Sequence, residues 1–249
     1  MSERTFFNTR AVQIGMQSLD RITEDRVIGM VTARSGVGKT EAIGAWCRKH
    51  SAVRHVAIVV DVLTSPRPVL TALVQALGLG ATAGNAQSLY LMKRRVAERL
   101  AEDPILIILD EADLLTVRAF ELLRSIWDYT SELVGENGEC AFPLAFFGAP
   151  KLRLMLEKDE LERLHCRIFH AAELPPLARK ELELILATNW KQLSFEPAAI
   201  DQLLALSRGS FGWINNIMRT AARLAVKDGQ RVTPEIIRAV RHHTVGLPT

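Results

Sequence analysis

Residues 26–42, RVIGMVTARSGVGKTEA, restrict the possible fold more than any other stretch of the chain. An apolar run of strand length runs straight into a glycine-rich turn, and a helix follows at once. Ile43, Trp46 and Cys47 stand at helical spacing within it. Gly36 and Gly38 permit the left-handed backbone of a tight turn. A strand passed this abruptly to a helix is half of a β-α-β unit. Such units require a parallel sheet covered by helices.

The residues that follow continue the alternation. HVAIVVDV (55–62) reads as a second buried strand. Pro66 and Pro68 mark a loop before the helix VLTALVQALGL, which ends near Gly78 and Gly80. After the polar stretch 80–88, Asn85 or Ser88 is positioned to cap the helix LYLMKRRVAERLAED. PILIILDEAD (104–113) is a continuous apolar run, as in a central parallel strand. A long helix is expected over 114–133, a strand in FPLAFFGAP (142–150) and a last strand in RIFHAAEL (167–174). From residue 179 onward only helices are expected, over 179–193, 197–207, 210–228 and 234–243, with Pro197 and Pro234 at helix starts. The expected fold is α/β, a parallel sheet flanked by helices over residues 1–172 with an N-terminal helix at 10–24. A small all-helical domain over 173–249 completes it.

The glycine turn carries chemistry. A loop that holds phosphate presents backbone N–H groups at a helix N-terminus, a lysine for the β- and γ-phosphates and a hydroxyl for Mg²⁺. Ser35, Gly36, Val37, Gly38, Lys39, Thr40 and Glu41 form that loop and helix start. The pattern G-x-x-x-x-G-K-[ST] departs only at its first position, where Ala33 stands. Alanine narrows the accessible φ there but removes no donor. About 70 residues on, an apolar strand ends in Asp110-Glu111. A strand-end aspartate of this kind joins Thr40 in the Mg²⁺ shell, and the next acid, Glu111, orients and deprotonates an attacking water. Acids also end buried strands merely to stop them. It is the pairing with the loop that points to ATP and Mg²⁺ as cofactors and to ATP hydrolysis.

The stretches SGVGKT, LIILDEADLL, AFELLRSI, LAFFGAPKL, ELERLHCRIFHAAELPPL and GSFGWINNIMRTAARLA together resemble the AAA+ ATPases. The resemblance runs over nearly the whole chain and is strongest to the regulators of DNA transposition of the Mu B, TnsC and TniB type. It implies a ring or helical filament with nucleotide held between neighbouring copies. An arginine of one copy, Arg163 or Arg167, would then reach the γ-phosphate of the next. It also implies duplex DNA bound largely without regard to sequence, through core loops bearing Arg67, Thr82 and Asn85, with Lys93, Arg94 and Arg95 as a nearby basic cluster. Each of these is equally an ordinary loop cap or a solvated helix charge. A transposase is the implied protein partner.

Two departures from the family pattern stand out. A polar side chain is expected where the strand LAFFG ends, and Gly148, Ala149 and Pro150 stand there instead. An arginine is expected near GSFGWINN, where Trp213, Asn215 and Asn216 stand and Arg219 follows one turn on. Both imply slow hydrolysis.

Charge agrees with an acidic partner. The net charge is only +3, yet residues 207–249 hold seven Lys/Arg against two acids, a net of +5. A solvated helix face explains the same excess. No apolar run is long enough to cross a bilayer, and MSERTFFNTR has no signal-peptide core, so a cytoplasmic protein without membrane contact is expected. Cys47, Cys140 and Cys166 lie too far apart for a disulfide framework or zinc knuckle, and no metal besides Mg²⁺ is expected. Two other function classes fit the same motifs. One is another DNA-processing AAA+ ATPase, a helicase loader or replication initiator; the other is an ATPase of secretion or signalling.

Overall fold

In the computed structural model, five short strands lie in one parallel sheet, in the order β2-β3-β4-β1-β5. The structure describes residues 7–62, 64–80, 88–135, 141–225 and 229–243. The strands are β1 (Ile28–Thr32), β2 (His55–Val59), β3 (Leu106–Asp110), β4 (Leu144–Gly148) and β5 (Ile168–Glu173). Every residue of β1, β3 and β4 is buried. That explains their unbroken apolar sequences, since a parallel strand covered on both faces has no polar side.

β2 was expected to be buried and is not. It is an edge strand with no buried residue, and Val59 at its end is 65% exposed. β5 forms the opposite edge, with half-buried and exposed residues alternating along it.

Contacts divide the chain into two units. The sheet unit comprises Ile14–Ala33 and Lys39–Glu173. Its helices include α1 (Arg10–Glu24, from Ile14 on), α2 (Lys39–Lys49), α3 (Pro66–Ala76), α4 (Leu89–Glu102), α5 (Val117–Val134), α6 (Lys151–Leu156) and α7 (Glu162–His165). Local chemistry sets their ends. Ser88 Oγ accepts the Leu91 N–H at 3.3 Å and caps α4. Thr116 Oγ1 accepts the Ala119 N–H at 3.3 Å and caps α5. That cap starts α5 at Val117 rather than at 114, and a 3₁₀ turn over Ala112–Leu114 precedes it. Gly135, at φ +88°, ends α5. The core joins Ile28, Met30, Leu70, Val96, Ile107, Leu109, Phe120, Phe142 and Phe146 in one apolar cluster.

The helical unit comprises Met1–Gln13, Arg34–Gly38 and Leu174–Thr249. It contains α8 (Arg179–Asn189), α9 (Pro197–Ser207), α10 (Phe211–Ala225) and α11 (Pro234–His243) around Leu182, Ile185, Leu203, Ile214, Ile217 and Ile237. Helix α8 stops at Asn189, short of the expected 193. The chain turns there so that β6 (Ser194–Phe195) can pair in parallel with β7 (Arg231–Val232). This two-residue ladder is the one departure from an otherwise helical unit among the described residues.

The strand order positions the site. From β1 the chain crosses to the β2 edge, while from β4 it crosses to the β5 edge, and β1 and β4 are neighbours. Their carboxyl ends therefore flank the point where the winding reverses, the place in such sheets where ligands are received.

Candidate active site

At the carboxyl ends of β1 and β3, the sheet unit gathers four of the expected residues. Lys39 and Thr40 open α2, and Asp110 and Glu111 end β3. Thr40 Oγ1 donates to Asp110 Oδ2 at 2.6 Å. The other Asp110 oxygen accepts the Glu111 N–H at 2.9 Å. Lys39 Nζ stands 3.7 Å from Glu111 Oε1 and donates to the Ala33 carbonyl at 3.4 Å. Lys39 and Asp110 are buried, at 6% and 4% exposure, whereas the Glu111 side chain is 40% exposed.

Glu111 adopts φ 56°, ψ 37°, the left-handed region, without being glycine. Such a backbone costs an L-residue roughly 1–3 kcal/mol and persists only where surroundings impose it. Here the Asp110 side chain fixes the Glu111 N–H on one side and the 3₁₀ turn continues on the other. The left-handed turn takes Glu111 out of the strand geometry that ends at Asp110. Asp110 turns toward Thr40 and Glu111 toward Lys39.

The residues suit Mg²⁺. Thr40 and Asp110 offer two hard oxygens in contact, and Mg²⁺ is usually held by one or two protein oxygens plus substrate phosphates and water. The described residues contain no cluster of three or more His, Cys, Asp or Glu side chains able to hold a metal by themselves.

The loop residues 34–38 fall in the helical unit. Gly36 at φ +75° and Gly38 at φ +123° require glycine or tolerate little else. The Gly36 carbonyl accepts the Phe211 N–H at 2.8 Å, and the Ser35 carbonyl accepts Ser210 Oγ at 3.0 Å. A Cβ on Gly36 would come within 2.4 Å of Ser210 Oγ. Ser35 is exposed and Val37 buried, with its N–H directed to the Arg34 carbonyl at 3.4 Å. Glu41, in the first turn of α2, pairs with Arg48 at 3.4 Å.

The two arginines near α7 differ. Arg167 Nε pairs with Asp128 at 2.6 Å, and its Nη1 donates to the Arg163 carbonyl at 2.5 Å. Asp128 is also paired with Arg124. Arg163 is exposed.

The structure describes three of the five expected DNA contacts, Arg67, Lys93 and Arg94. Arg67 is exposed in the first turn of α3. Lys93 Nζ lies 5.7 Å from the centre of the Tyr129 ring, and Arg94 pairs with Glu98 at 2.7 Å on the same helix. Arg95 donates to the Leu79 carbonyl. Thr82 and Asn85 lie outside the described residues.

Three participants were missed in the sequence. Asp113 is buried, accepts the Ala149 N–H at 2.8 Å and pairs with Lys151 at 2.9 Å. Burial pushes its carboxyl upward, but the Ala149 N–H and Lys151 outweigh that and hold it below the ordinary aspartate value. Ser210 fastens the loop carbonyl described above. The only signal for Asp113 was its place two residues after Glu111; Lys151 and Ser210 carried none.

Comparison with known proteins is consistent with this geometry. The chain matches the model of the AAA domain family over residues 22–156, a little more than half its length. A potential ATP-binding protein of Staphylococcus aureus is 27% identical over 149 residues, covering 56% of this chain and 51% of that one. The chain thus spans about half the length of the curated relative it matches. Among solved structures it resembles Cdc6p from Pyrobaculum aerophilum, with a TM-score of 0.72, 15% identity, and coverage of 98% of this chain and 70% of that one. The Aeropyrum pernix ORC2 protein gives a TM-score of 0.62 at 14% identity, over 100% and 71% of the two chains. The Thermotoga maritima RuvB Holliday junction branch migration motor gives 0.55 at 18%, over 96% and 70%. At these identities the likeness is one of fold. No helix among the described residues is long and apolar enough to cross a membrane. With the family model matched across both Lys39-Thr40 and the strand-end Asp110-Glu111 pair, the chain belongs to the AAA domain family.

Proposed function

We propose that the protein is an ATP-dependent, DNA-binding regulator of DNA transposition that assembles on duplex DNA and recruits a transposase. The observation that carries the ATP half of this reading is the junction of Lys39, Thr40, Asp110 and Glu111 at the sheet's carboxyl edge. Residues 1–172 form the nucleotide-binding core, and 173–249 form a small helical domain. Backbone groups of Ser35, Gly36, Val37 and Gly38 cradle the phosphates, and Glu41 follows in the helix behind them. Thr40 and Asp110 would hold Mg²⁺, which would supply positive charge to offset that of the phosphates. Lys39, paired with Glu111 before ATP arrives, turns to the β- and γ-phosphates. Glu111 is then released to accept the proton of the attacking water. Arg163 supplies the trans cation, because Arg167 is already engaged by Asp128.

The DNA half rests on the resemblance in SGVGKT, LIILDEADLL and ELERLHCRIFHAAELPPL, and on the basic groups Arg67, Lys93 and Arg94. Thr82 and Asn85 complete the contact loops. The protein works in the cytoplasm. A second reading, replication initiation or another DNA-processing task, is favoured by the fold likeness to Cdc6p and ORC2.

A salt titration of binding to two unrelated duplexes, with ATP, a slowly hydrolysed analogue and ADP, tests the proposal. Binding through phosphates makes log affinity fall linearly with log salt. Arg67→Ala should flatten that slope by about one, alike on both duplexes. Equal weak binding in all three nucleotide states refutes a nucleotide-gated assembly. Strong preference for one duplex favours the second reading.

A further inference from the structure

The end of β4 lacks the polar side chain that the resemblance leads one to expect, and the structure shows what occupies its place. A Cβ on Gly148 would lie 2.8 Å from Asp113 Oδ1, 3.2 Å from the Asp113 backbone nitrogen and 2.9 Å from Leu152 Cδ2. A side chain at position 148 would therefore have to displace Asp113 and Leu152. That carboxylate comes from β3's side of the sheet.

Asp113 is not an isolated buried acid. Its Oδ1 accepts the Ala149 N–H at 2.8 Å and its Oδ2 meets Lys151 Nζ at 2.9 Å. The neighbouring Gly148 carbonyl accepts the Ala33 N–H at 3.0 Å, and the Ala33 carbonyl accepts Lys39 Nζ at 3.4 Å. One line of contacts thus runs from Lys151 through Asp113, the β4 terminus and Ala33 to the phosphate-loop lysine. Asp113 also lies at the 3₁₀ turn that leaves Glu111. The same carboxylate therefore fixes the end of β4 against the turn that carries the base. Lys151 is 55% exposed while the Asp113 side chain is 4% exposed, so the lysine brings a positive charge to a buried acid from solvent. A buried carboxylate without such a partner is costly.

We propose that Asp113 is a positioning residue for ATP hydrolysis, holding the β4 terminus and the Glu111 turn in fixed relation, with Lys151 as its counter-ion. The pair stands in for the missing strand-end side chain, and it acts through the backbone of Gly148 and Ala149 rather than on the nucleotide. The inference rests on the reading of Glu111 as the base.

The test uses the full chain with Asp113→Asn, Lys151→Met, the double variant and Lys151→Arg. Three readouts are taken on each: thermal unfolding without nucleotide, equilibrium affinity for a fluorescent ATP analogue, and kcat and KM for ATP. Asp113→Asn and Lys151→Met should each lower kcat roughly ten- to a hundredfold, the range for residues that support a reacting group from behind. Analogue affinity and KM should stay within about threefold. The double variant should lose little more than either single change, since both remove one pair. Lys151→Arg should recover most of the rate. An unchanged kcat in a folded Asp113→Asn protein overturns the proposal. So does affinity falling in step with kcat, which marks a merely structural role, or a double variant whose losses multiply. Failure of the base assignment reads differently: Glu111→Gln, assayed alongside, would then keep its turnover whatever the Asp113 variants do.

Discussion

Replacing Glu111 by glycine and, separately, by alanine isolates the backbone strain at the base. Both changes remove the carboxylate and its 3.7 Å approach to Lys39, so those losses cancel in the comparison. What differs is the fit to φ 56°, ψ 37°. Alanine bears the left-handed penalty of about 1–2 kcal/mol, which glycine escapes. Glycine in turn loses about 0.4–1 kcal/mol through its freer unfolded chain. The balance favours glycine by about 0.5–1 kcal/mol. At about 2–4 °C per kcal/mol for a chain of this size, the Gly variant should unfold roughly 1–4 °C above the Ala variant. Calorimetry without nucleotide measures this on the transition that includes the sheet unit. Both variants should turn over ATP more slowly by about 10²–10⁴, the contribution of a general base. An Ala variant that unfolds at or above the Gly variant refutes the strain argument.

Lys39→Ala should abolish binding of a fluorescent ATP analogue, whereas Ala33→Gly should leave it nearly intact, since the Ala33 contacts to Gly148 and Lys39 are made by backbone atoms. Unchanged affinity in the first, or a large loss in the second, counts against the loop geometry. Arg163→Ala should lower turnover of the assembled protein by about 10³ or more and regain activity when mixed with Lys39→Ala. Arg167→Ala, which breaks the contact with Asp128, should instead lower thermal stability; trans rescue of Arg167→Ala alone would reverse the assignment. Burial, aided by Arg21 and opposed by Asp25, holds the His170 imidazole below its ordinary value. The unfolded chain then takes up a proton that the folded chain resists. Stability from this group is present above about pH 6.5 and is lost as pH falls toward the depressed folded value. His170→Gln should flatten the fall in unfolding temperature between about pH 7 and 5, and an unaltered slope sinks that reading.

Much of the fold was legible because it is local. The runs IGMVT, LIILD and LAFFG are apolar throughout, as strands covered on both faces must be. Ser88 and Thr116 mark their helix starts with side-chain oxygens, although the cap at Thr116 was overlooked and the helix was begun too early. What was not legible is non-local. HVAIV is as apolar as a central strand, and only pairing on one side alone makes it an edge. Two residues, Ser194 and Phe195, have no periodicity to announce a ladder with Arg231 and Val232. Arg163 and Arg167 looked equivalent because Asp128, which ties down one of them, is 39 residues away in sequence from Arg167. The absent polar residue at Gly148 implied slow hydrolysis and gave no sign of what takes its place. In the fold, Asp113 from a different strand's end fills the space.

The central claim is that Lys39, Thr40, Asp110 and Glu111 form one ATP-hydrolysing site in which binding and turnover belong to different residues. Glu111→Gln tests it most directly, with analogue affinity and steady-state turnover measured on the same preparation. The amide keeps the size of the side chain but cannot take the proton of the attacking water. Affinity within about threefold of the parent, with turnover lower by about 10²–10⁴, is the predicted result. Turnover near the parent rate, or affinity lost together with it, would contradict the account.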